Sequence, residues 1–298
     1  MPKKLAFVVL TCLFGVTCQA SSWAGIVLDR IKQTGVITAG ARTDAMPFGY
    51  KNEKGEWIGY SLDILELIRQ DVENQLGKPI KLQLVEVTPQ NRFAKIKDGS
   101  IDIECSSTTF TWDREKEVDF SVSYFASGTQ MLIKKGSGLS SLDTLAGKRI
   151  GAVLNTTNEA AIRTQQPQAE LVIVKDRQDG LQKLEKGEID GFAGDGIVLE
   201  GLRKAATNPN NYEVVPEYPY MYESYACLLP QDESAWRDSV NYSLVKFMNG
   251  IVSDRQESVT IYEKWFGENS KTPYSREMIN DYFQGIVNTY EWIPDVDY

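Results

Sequence analysis

The amino-acid sequence predicts an α/β protein in which two lobes are joined by a two-strand hinge, with a ligand cleft between them. Three observations predict this class: strands alternate with helices, one short pattern occurs in both halves, and two extended segments separate the halves. The chain has 298 residues, which suits about two domains of about 150 residues. Each lobe is therefore large enough to bury its own core.

The first elements alternate between helix and strand. Apolar residues recur at helical spacing over 26–33 and stop at Gly35, a residue type that commonly caps helices. The run over 36–39, Val-Ile-Thr-Ala, then predicts a buried strand. The same criteria predict three further elements, which are a hairpin over 48–60, an amphipathic helix over 62–77 and a strand over 80–87.

A weak internal repeat predicts that the two lobes share a topology. Residues 93–103 and 181–191 both show a helical pattern, a glycine that stops it and an Ile-Asp pair that opens a strand. Each copy lies downstream of a strand that a glycine precedes, over 35–40 and 147–153. Repetition of one unit in this way indicates two lobes of similar build.

Two extended segments predict the hinge. Residues 120–134 and 212–229 are rich in Tyr, Phe, Val and Ser, which favour strands. The chain would start lobe 1, cross to lobe 2 and cross back, so we assign lobe 2 to 126–219. Lobe 1 combines 21–125 with 220–298, which includes C-terminal helices. A cleft between two lobes is a favoured place for a ligand.

The composition excludes several kinds of chemistry. The sequence contains no histidine, which rules out a Ser-His-Asp triad, a Cys-His pair and histidine-based zinc sites. Acidic residues number 41 against 32 basic ones, for a formal net charge of −9. Because nucleic acids bind basic faces, we expect no nucleic-acid partner. We also expect no metal and no cofactor.

Residues 1–20 have the pattern of a signal peptide. Two lysines precede a mostly apolar run over 5–16, and small residues occupy the positions that a peptidase reads before a cut after Ala20. A lipid anchor on Cys18 is the alternative. No later segment reaches the roughly 20 apolar residues of a membrane span. We therefore expect export to the periplasm.

Cys105 and Cys227 are the cysteines that remain after such a cut. A pair of cysteines in an oxidising compartment predicts a disulfide, and both fall on the lobe 1 side of the hinge. The alternative is two buried free thiols.

Polar residues after predicted strands could hold a ligand. The hydroxyl-rich run over 106–109, with Arg114 shortly after, suits a carboxylate. The alternative is a capped short helix whose Arg114 pairs with Asp113 or Glu117. Residues 155–158, Asn-Thr-Thr-Asn, open a helix and suit an anion, although ordinary capping is the simpler explanation.

Asp195 follows a predicted strand and lies between two glycines. At the carboxyl end of that strand it could accept an ammonium group. The alternative is an aspartate that only forms a turn.

These motifs together resemble the periplasmic amino-acid-binding proteins of ABC importers, most closely the glutamate/aspartate-binding branch. The resemblance implies a periplasmic-binding-protein fold of type II, an amino-acid ligand, a transmembrane permease as partner, a monomer and no enzymatic activity. The motifs that carry it, in chain order, are Gly-Val-Ile at 35–37, Gln-Asn-Arg at 90–92, Ile-Glu-Cys-Ser-Ser-Thr-Thr at 103–109 with Arg114, Asp-Phe-Ser at 119–121, Tyr-Phe at 124–125, Thr-Thr-Asn-Glu at 156–159, Lys-Asp at 175–176, Gly-Phe at 191–192 with Asp195, Tyr-Ala-Cys at 225–227 and Tyr-Glu-Lys-Trp-Phe-Gly at 262–267.

The resemblance also implies a set of ligand-binding residues and their roles. In the family pattern, Arg114, Thr109 and Thr156 would take the α-carboxylate. Asp195 with Ser107 would take the α-ammonium. The full predicted set is Arg42, Arg92, Ser107, Thr109, Arg114, Thr156, Thr157, Arg177 and Asp195.

Specificity depends on the side-chain end of the ligand. Arg42 and Arg92 match positions that hold the side-chain carboxylate in the acidic branch. The sequence departs from that branch at Arg177, where a histidine is usual, at Pro89, where a hydroxyl residue is usual, and at Asn155, where a glycine is usual.

Charge favours an acidic ligand. Four arginines against Asp195 would leave the empty site at a formal charge of about +3, and an unpaired buried guanidinium is costly. The alternative is that Arg42 or Arg177 pairs with an aspartate at the rim and that glutamine and asparagine also bind. The three candidate aspartates are Asp44, Asp176 and Asp179.

An enzyme on the same fold is the second alternative. Some periplasmic dehydratases that act on cyclic amino-acid precursors, such as arogenate, resemble this fold. Without histidine, proton transfer would depend on a carboxylate such as Glu104 or Glu223. Neither lies in a recognisable motif, so we expect binding rather than catalysis.

Overall fold

A computed structural model describes residues 25–290 of the chain. The predicted signal peptide lies outside the described residues. Within them, no helix is long and apolar enough to cross a membrane. The fold is α/β, as predicted, and a nine-stranded mixed sheet runs through both lobes.

Lobe 1 begins with parallel strands covered by helices. The strand over 36–41 pairs parallel with a strand on each side and is largely buried, whereas the edge strand over 81–86 has no fully buried residue. Its elements up to the hinge are α1 (Ile26–Thr34), β1 (Val36–Ala41), β2 (Asp44–Ala45), β3 (Gly49–Lys51), β4 (Trp57–Ile58), α2 (Tyr60–Leu76), β5 (Lys81–Glu86), α3 (Arg92–Lys97), β6 (Ile103–Glu104) and α4 (Trp112–Glu115).

The long strand β7 (Asp119–Lys134) leaves lobe 1 and enters lobe 2. Lobe 2 then repeats the alternation of strand and helix, with β8 and β9 parallel and β10 antiparallel to β7. Its elements are β8 (Arg149–Val153), α5 (Thr157–Gln165), β9 (Glu170–Val174), α6 (Arg177–Lys186), β10 (Gly191–Asp195), α7 (Gly196–Lys204) and β11 (Tyr212–Val215).

Strand β12 (Met221–Leu229) brings the chain back to lobe 1. It pairs antiparallel with β7 from Met221 opposite Thr129 to Leu229 opposite Asp119, so two paired strands form the hinge. Three helices follow and cover the lobe 1 core. They are α8 (Ser234–Val252), α9 (Gln256–Phe266) and α10 (Arg276–Val287).

Each lobe has its own hydrophobic core. In lobe 1, aromatic rings pack closely, and the rings of Phe125 and Phe266 stack with centroids 4.7 Å apart. Helix α10 buries Ile279 and Phe283 in the same core, as expected for the C-terminal helices. Phe192 is among the buried residues of lobe 2. The exact lobe boundaries stay a prediction.

The structure confirms the predicted disulfide and corrects the predicted hairpin. Cys105 and Cys227 form a disulfide with Cα atoms 4.3 Å apart, which confirms the pairing. The predicted hairpin is wrong at its end, because β4 stops at Ile58 and α2 begins at Tyr60. Gly59 makes this sharp change possible, since it has a φ of 150° and a Cβ there would overlap the Phe48 carbonyl.

Candidate functional site

The candidate site lies between the lobes, where β1, β6, β8 and β10 end. All the predicted ligand-binding residues line one cavity there, together with Pro89 and Asn158. The cavity measures about 10 Å³, which is room for about one water molecule. An amino acid can therefore enter only if the lobes separate or side chains move.

Arg114 spans the cleft. It follows the N-cap Thr111 in α4, and its Nη1 donates to the carbonyl of Thr109 at 2.7 Å. Its Nη2 donates to the carbonyl of Asn155 in lobe 2 at 3.3 Å. Burial lowers the pKa of Arg114 while nearby carboxylates, Glu223 first, partly offset this.

The alternative pairing for Arg114 is wrong. Asp113 instead pairs with Lys116 at 2.8 Å. Glu117 pairs with Lys97 at 3.0 Å. The guanidinium of Arg114 is therefore not held by a carboxylate on its own helix, and it faces the cleft.

Arg92 is a second buried guanidinium on the lobe 1 side. Its Nη1 donates to Thr108 Oγ1 at 2.5 Å, and Thr108 donates on to Glu104 at 2.8 Å. Burial lowers the pKa of Arg92 to about 10, against the attraction of Glu104. Its Nε is buried without a hydrogen-bond partner in the described part of the chain.

Arg42 and Arg177 share one carboxylate, that of Asp44. Arg42 Nη2 lies 2.5 Å from Asp44 Oδ1, and Arg177 Nη1 lies 3.4 Å from the same oxygen. Of the three candidate rim aspartates, Asp44 is the one that pairs with these arginines. Asp176 caps α6 instead, and Asp179 pairs with Lys183 at 3.7 Å.

Asp195 is a buried carboxylate at the end of β10, with 3% of its surface exposed. Its Oδ1 accepts from Asn158 Nδ2 at 3.1 Å, and its Oδ2 lies 3.9 Å from Arg177 Nη2. Burial raises its pKa, and Arg177 and Asn158 oppose this rise. The same Arg177 nitrogen donates to Ser107 Oγ at 3.2 Å.

The hydroxyl groups of Thr156 and Thr157 in lobe 2 have different hydrogen-bond partners. Thr156 caps α5 by accepting from the Glu159 amide, and its hydroxyl donates to the carbonyl of Val153 at 2.7 Å. The side chain of Thr156 therefore acts as a helix cap, which is the alternative given for residues 155–158. Thr157 donates to Glu223 Oε2 at 2.6 Å.

Glu223 joins groups from both lobes beside the cavity, and the sequence indicated it only as a possible proton-transfer carboxylate. Its buried carboxylate accepts from Thr109, from Thr157 and from Thr129, the last at 2.8 Å. Burial raises its pKa to about 7, helped by nearby Asp195 and opposed by the hydroxyls. The sequence signal that could have found it is an acidic residue inside a mostly apolar crossing strand.

The sequence matches a family described as "Bacterial extracellular solute-binding proteins, family 3" over residues 37–268. That range includes both lobes and every residue of the candidate site. The chain belongs to this family.

Proteins with similar sequences are named for different ligands or activities. A glutamate/aspartate import solute-binding protein of Salmonella typhimurium is 32% identical, over 88% of this chain and 85% of its own. A glutamine-binding protein of Bacillus subtilis, GlnH, is 33% identical over 81% and 85%. A cyclohexadienyl dehydratase of Pseudomonas aeruginosa is more distant, at 25% identity over 86% and 95%.

Solved structures share the two-lobed fold. An ancestral arginine-binding protein bound to glutamine superposes with a TM-score of 0.70 at 27% identity, covering 78% of this chain and 99% of its own. The relatives of higher identity are thus binding proteins, and family membership makes an amino acid the expected class of ligand.

Proposed function

We propose that this protein captures an acidic amino acid, L-glutamate or L-aspartate, in the periplasm and delivers it to the permease of an ABC importer. The observation that carries the proposal is the convergence of four guanidiniums from two lobes on one cavity, where the lining also includes Asp195. Even with Asp44 counted, the positive charges exceed the lining carboxylates. An anionic ligand would balance them.

The two ends of the ligand would meet different groups. Arg114 would hold the α-carboxylate with both of its terminal nitrogens, because guanidinium and carboxylate match as a bidentate pair. Asp195 would accept the α-ammonium. Thr109 and Thr157 direct their protons to Glu223, so Thr109 would not donate to the α-carboxylate as the resemblance implies. The lone pairs of both hydroxyls remain to accept from the ammonium.

The side-chain carboxylate would lie among Arg42, Arg92 and Arg177. Arg92 is the best placed of them to gain from it, since its Nε lacks a partner among the described residues. The hydroxyl of Thr156 is used in capping. Thr156 would therefore contribute to binding of the α-carboxylate only through the N-terminus of α5.

Closure of the cleft would couple binding to delivery. Arg114 already donates to Asn155 across the cleft, and Gln90 donates to the carbonyl of Leu154 at 3.1 Å. A ligand shifts the equilibrium only through contacts that the closed form alone provides. Asp195 and Arg177 of lobe 2 would be those contacts, and the permease would recognise the closed form.

Calorimetry on ligand-stripped protein tests the proposal. The protein would be unfolded, dialysed and refolded, then titrated with L-glutamate, L-aspartate, L-glutamine, L-asparagine and L-arginine. We expect the two acids to bind most tightly. Failure of all five to bind would contradict the proposal, and conversion of arogenate by the same sample would establish the enzyme alternative.

A further inference from the structure

Asp44 lies between two of the arginines that line the cavity. It lies in β2, two residues after Arg42, and its carboxylate contacts guanidiniums of both lobes. The backbone N–H of Arg177 also points to its Oδ2 at 3.5 Å. The side chain of Asp44 is 19% exposed, and those of Arg42 and Arg177 are 4% and 9% exposed.

The carboxylate of Asp44 is a permanent charge. Burial raises its pKa, but the attraction of Arg177 and Arg42 outweighs burial and holds the pKa at about 2. Asp44 therefore stays ionised throughout the neutral range.

We propose that Asp44 is a specificity-determining residue, an internal competitor for the ligand's side-chain carboxylate that allows the cleft to accept amides as well as acids. The inference rests on the proposed function, because it has meaning only if an amino acid binds in this cleft. Asp44 occupies donors of Arg42 and Arg177 that an acidic side chain would otherwise engage.

An amide would find complementary partners at the same place. Its carbonyl oxygen can accept from Arg177, and its NH₂ group can donate to the carboxylate of Asp44. A second carboxylate beside Asp44 would instead meet like charge, which partly cancels the attraction of the arginines. Asp44 should thus narrow the difference in affinity between glutamate and glutamine.

The test is the ratio of the glutamine and glutamate dissociation constants. Asp44→Asn keeps the shape of the side chain and removes its charge, so we expect the ratio to rise by about tenfold, the effect of one close charge. Asp143→Asn, an equal charge change at an exposed residue outside the cavity, should leave the ratio unchanged. Thermal unfolding of both variants checks folding.

If Asp44→Asn folds poorly, Asp44→Ser, which also removes the carboxylate, should raise the ratio in the same direction, and an unchanged ratio in that variant would overturn the inference. A double-mutant comparison then tests whether Asp44 acts through Arg177. Arg177→Gln removes one partner of Asp44, and in that background Asp44→Asn should change the ratio less than it does alone. Asp44→Glu, which retains the charge, should leave the ratio near the natural value.

An unchanged ratio in folded Asp44→Asn would overturn the role of Asp44 while leaving the proposed function intact. If affinity for both ligands fell equally, Asp44 would only hold Arg42 in place, and the inference would also be wrong. Failure of the natural protein to bind any amino acid would instead remove the proposed function itself.

Discussion

The two lobes are built on one plan, yet they bring different charges to the cleft. Asp102 of lobe 1 accepts the backbone N–H of Thr38 at 2.7 Å, and Asp190 of lobe 2 accepts that of Arg149 at 2.8 Å. These equivalent aspartates tie neighbouring strands together in each lobe. The repeat in the sequence therefore encodes a shared structural device.

Five positions after these aspartates, the two lobes carry side chains of different chemistry. Lobe 1 has Ser107 there and lobe 2 has Asp195, and both face the same cavity. Lobe 1 adds Arg42, Arg92 and Arg114, whereas lobe 2 adds Arg177. If the proposed function is correct, lobe 1 would hold the carboxylates and lobe 2 would supply the acceptor for the ammonium, so a zwitterion would need both lobes.

The disulfide is a feature of lobe 1 that lobe 2 lacks among the described residues, and its removal should give the largest change in the free energy of unfolding. Cys105 and Cys227 both lie in lobe 1 and are 122 residues apart in the sequence, so the bond closes a loop that contains the whole of lobe 2. Replacing both by alanine should lower the free energy of unfolding by about 4 kcal/mol in the chain-entropy model. Urea titration followed by tryptophan fluorescence measures this. A loss below about 1 kcal/mol would mean that the lobe 1 core is sufficient without the bond.

Substitutions at Asp195 and Asp190 should affect different properties of lobe 2, ligand affinity in the first case and stability in the second. Asp195→Asn removes the acceptor for the ammonium and should weaken binding by about 3 kcal/mol, the scale for one partner of a buried charge pair. Asp190→Asn should lower thermal stability and leave affinity nearly unchanged. Calorimetric titration of both variants with L-glutamate compares them, and equal affinities would contradict the role of Asp195.

Glu223, which contacts residues of both lobes, should make the free energy of unfolding depend on pH. Its folded-state pKa of about 7 lies above the ordinary value of 4.5. The folded state therefore holds its proton more tightly than the unfolded state. Its contribution to stability is fully present below about pH 4.5 and is lost as the pH rises through 7.

The matched variant isolates this effect. From pH 5 to 7 the natural protein should lose roughly 2 kcal/mol more than Glu223→Gln, because only the natural protein releases this proton. Urea unfolding at pH 5, 6 and 7 measures the difference. Parallel curves for the two proteins would show that Glu223 is already ionised at pH 5.

Arg92 should have the smallest and most selective effect. Arg92→Gln should weaken the binding of glutamate about tenfold more than that of glutamine, because the amide forms no ion pair with it. Arg149→Gln, which affects the partner of Asp190 outside the cavity, is the control. Equal losses for both ligands would place Arg92 away from the ligand's side chain.

Local patterns in the sequence were sufficient for most of the fold. The helical spacing that stops at Gly35 and the repeat that contains Asp102 and Asp190 depend on neighbouring residues, so the sequence predicts both directly. The disulfide between Cys105 and Cys227 followed from compartment and topology. The residues that line the cavity were predicted in two ways. Ser107, Arg114 and Asp195 follow predicted strands, whose ends meet at one edge of a sheet. The family resemblance supplied the other arginines.

The partners of those residues were decided only by the tertiary structure. Asp44, Asp176 and Asp179 were equal candidates in the sequence, yet Asp44 pairs with Arg177, 133 residues away. Glu223 likewise contacts Thr109 from 114 residues away. Such contacts depend on how the lobes come together across the hinge, and since charge pairing acts through space, no local pattern records it.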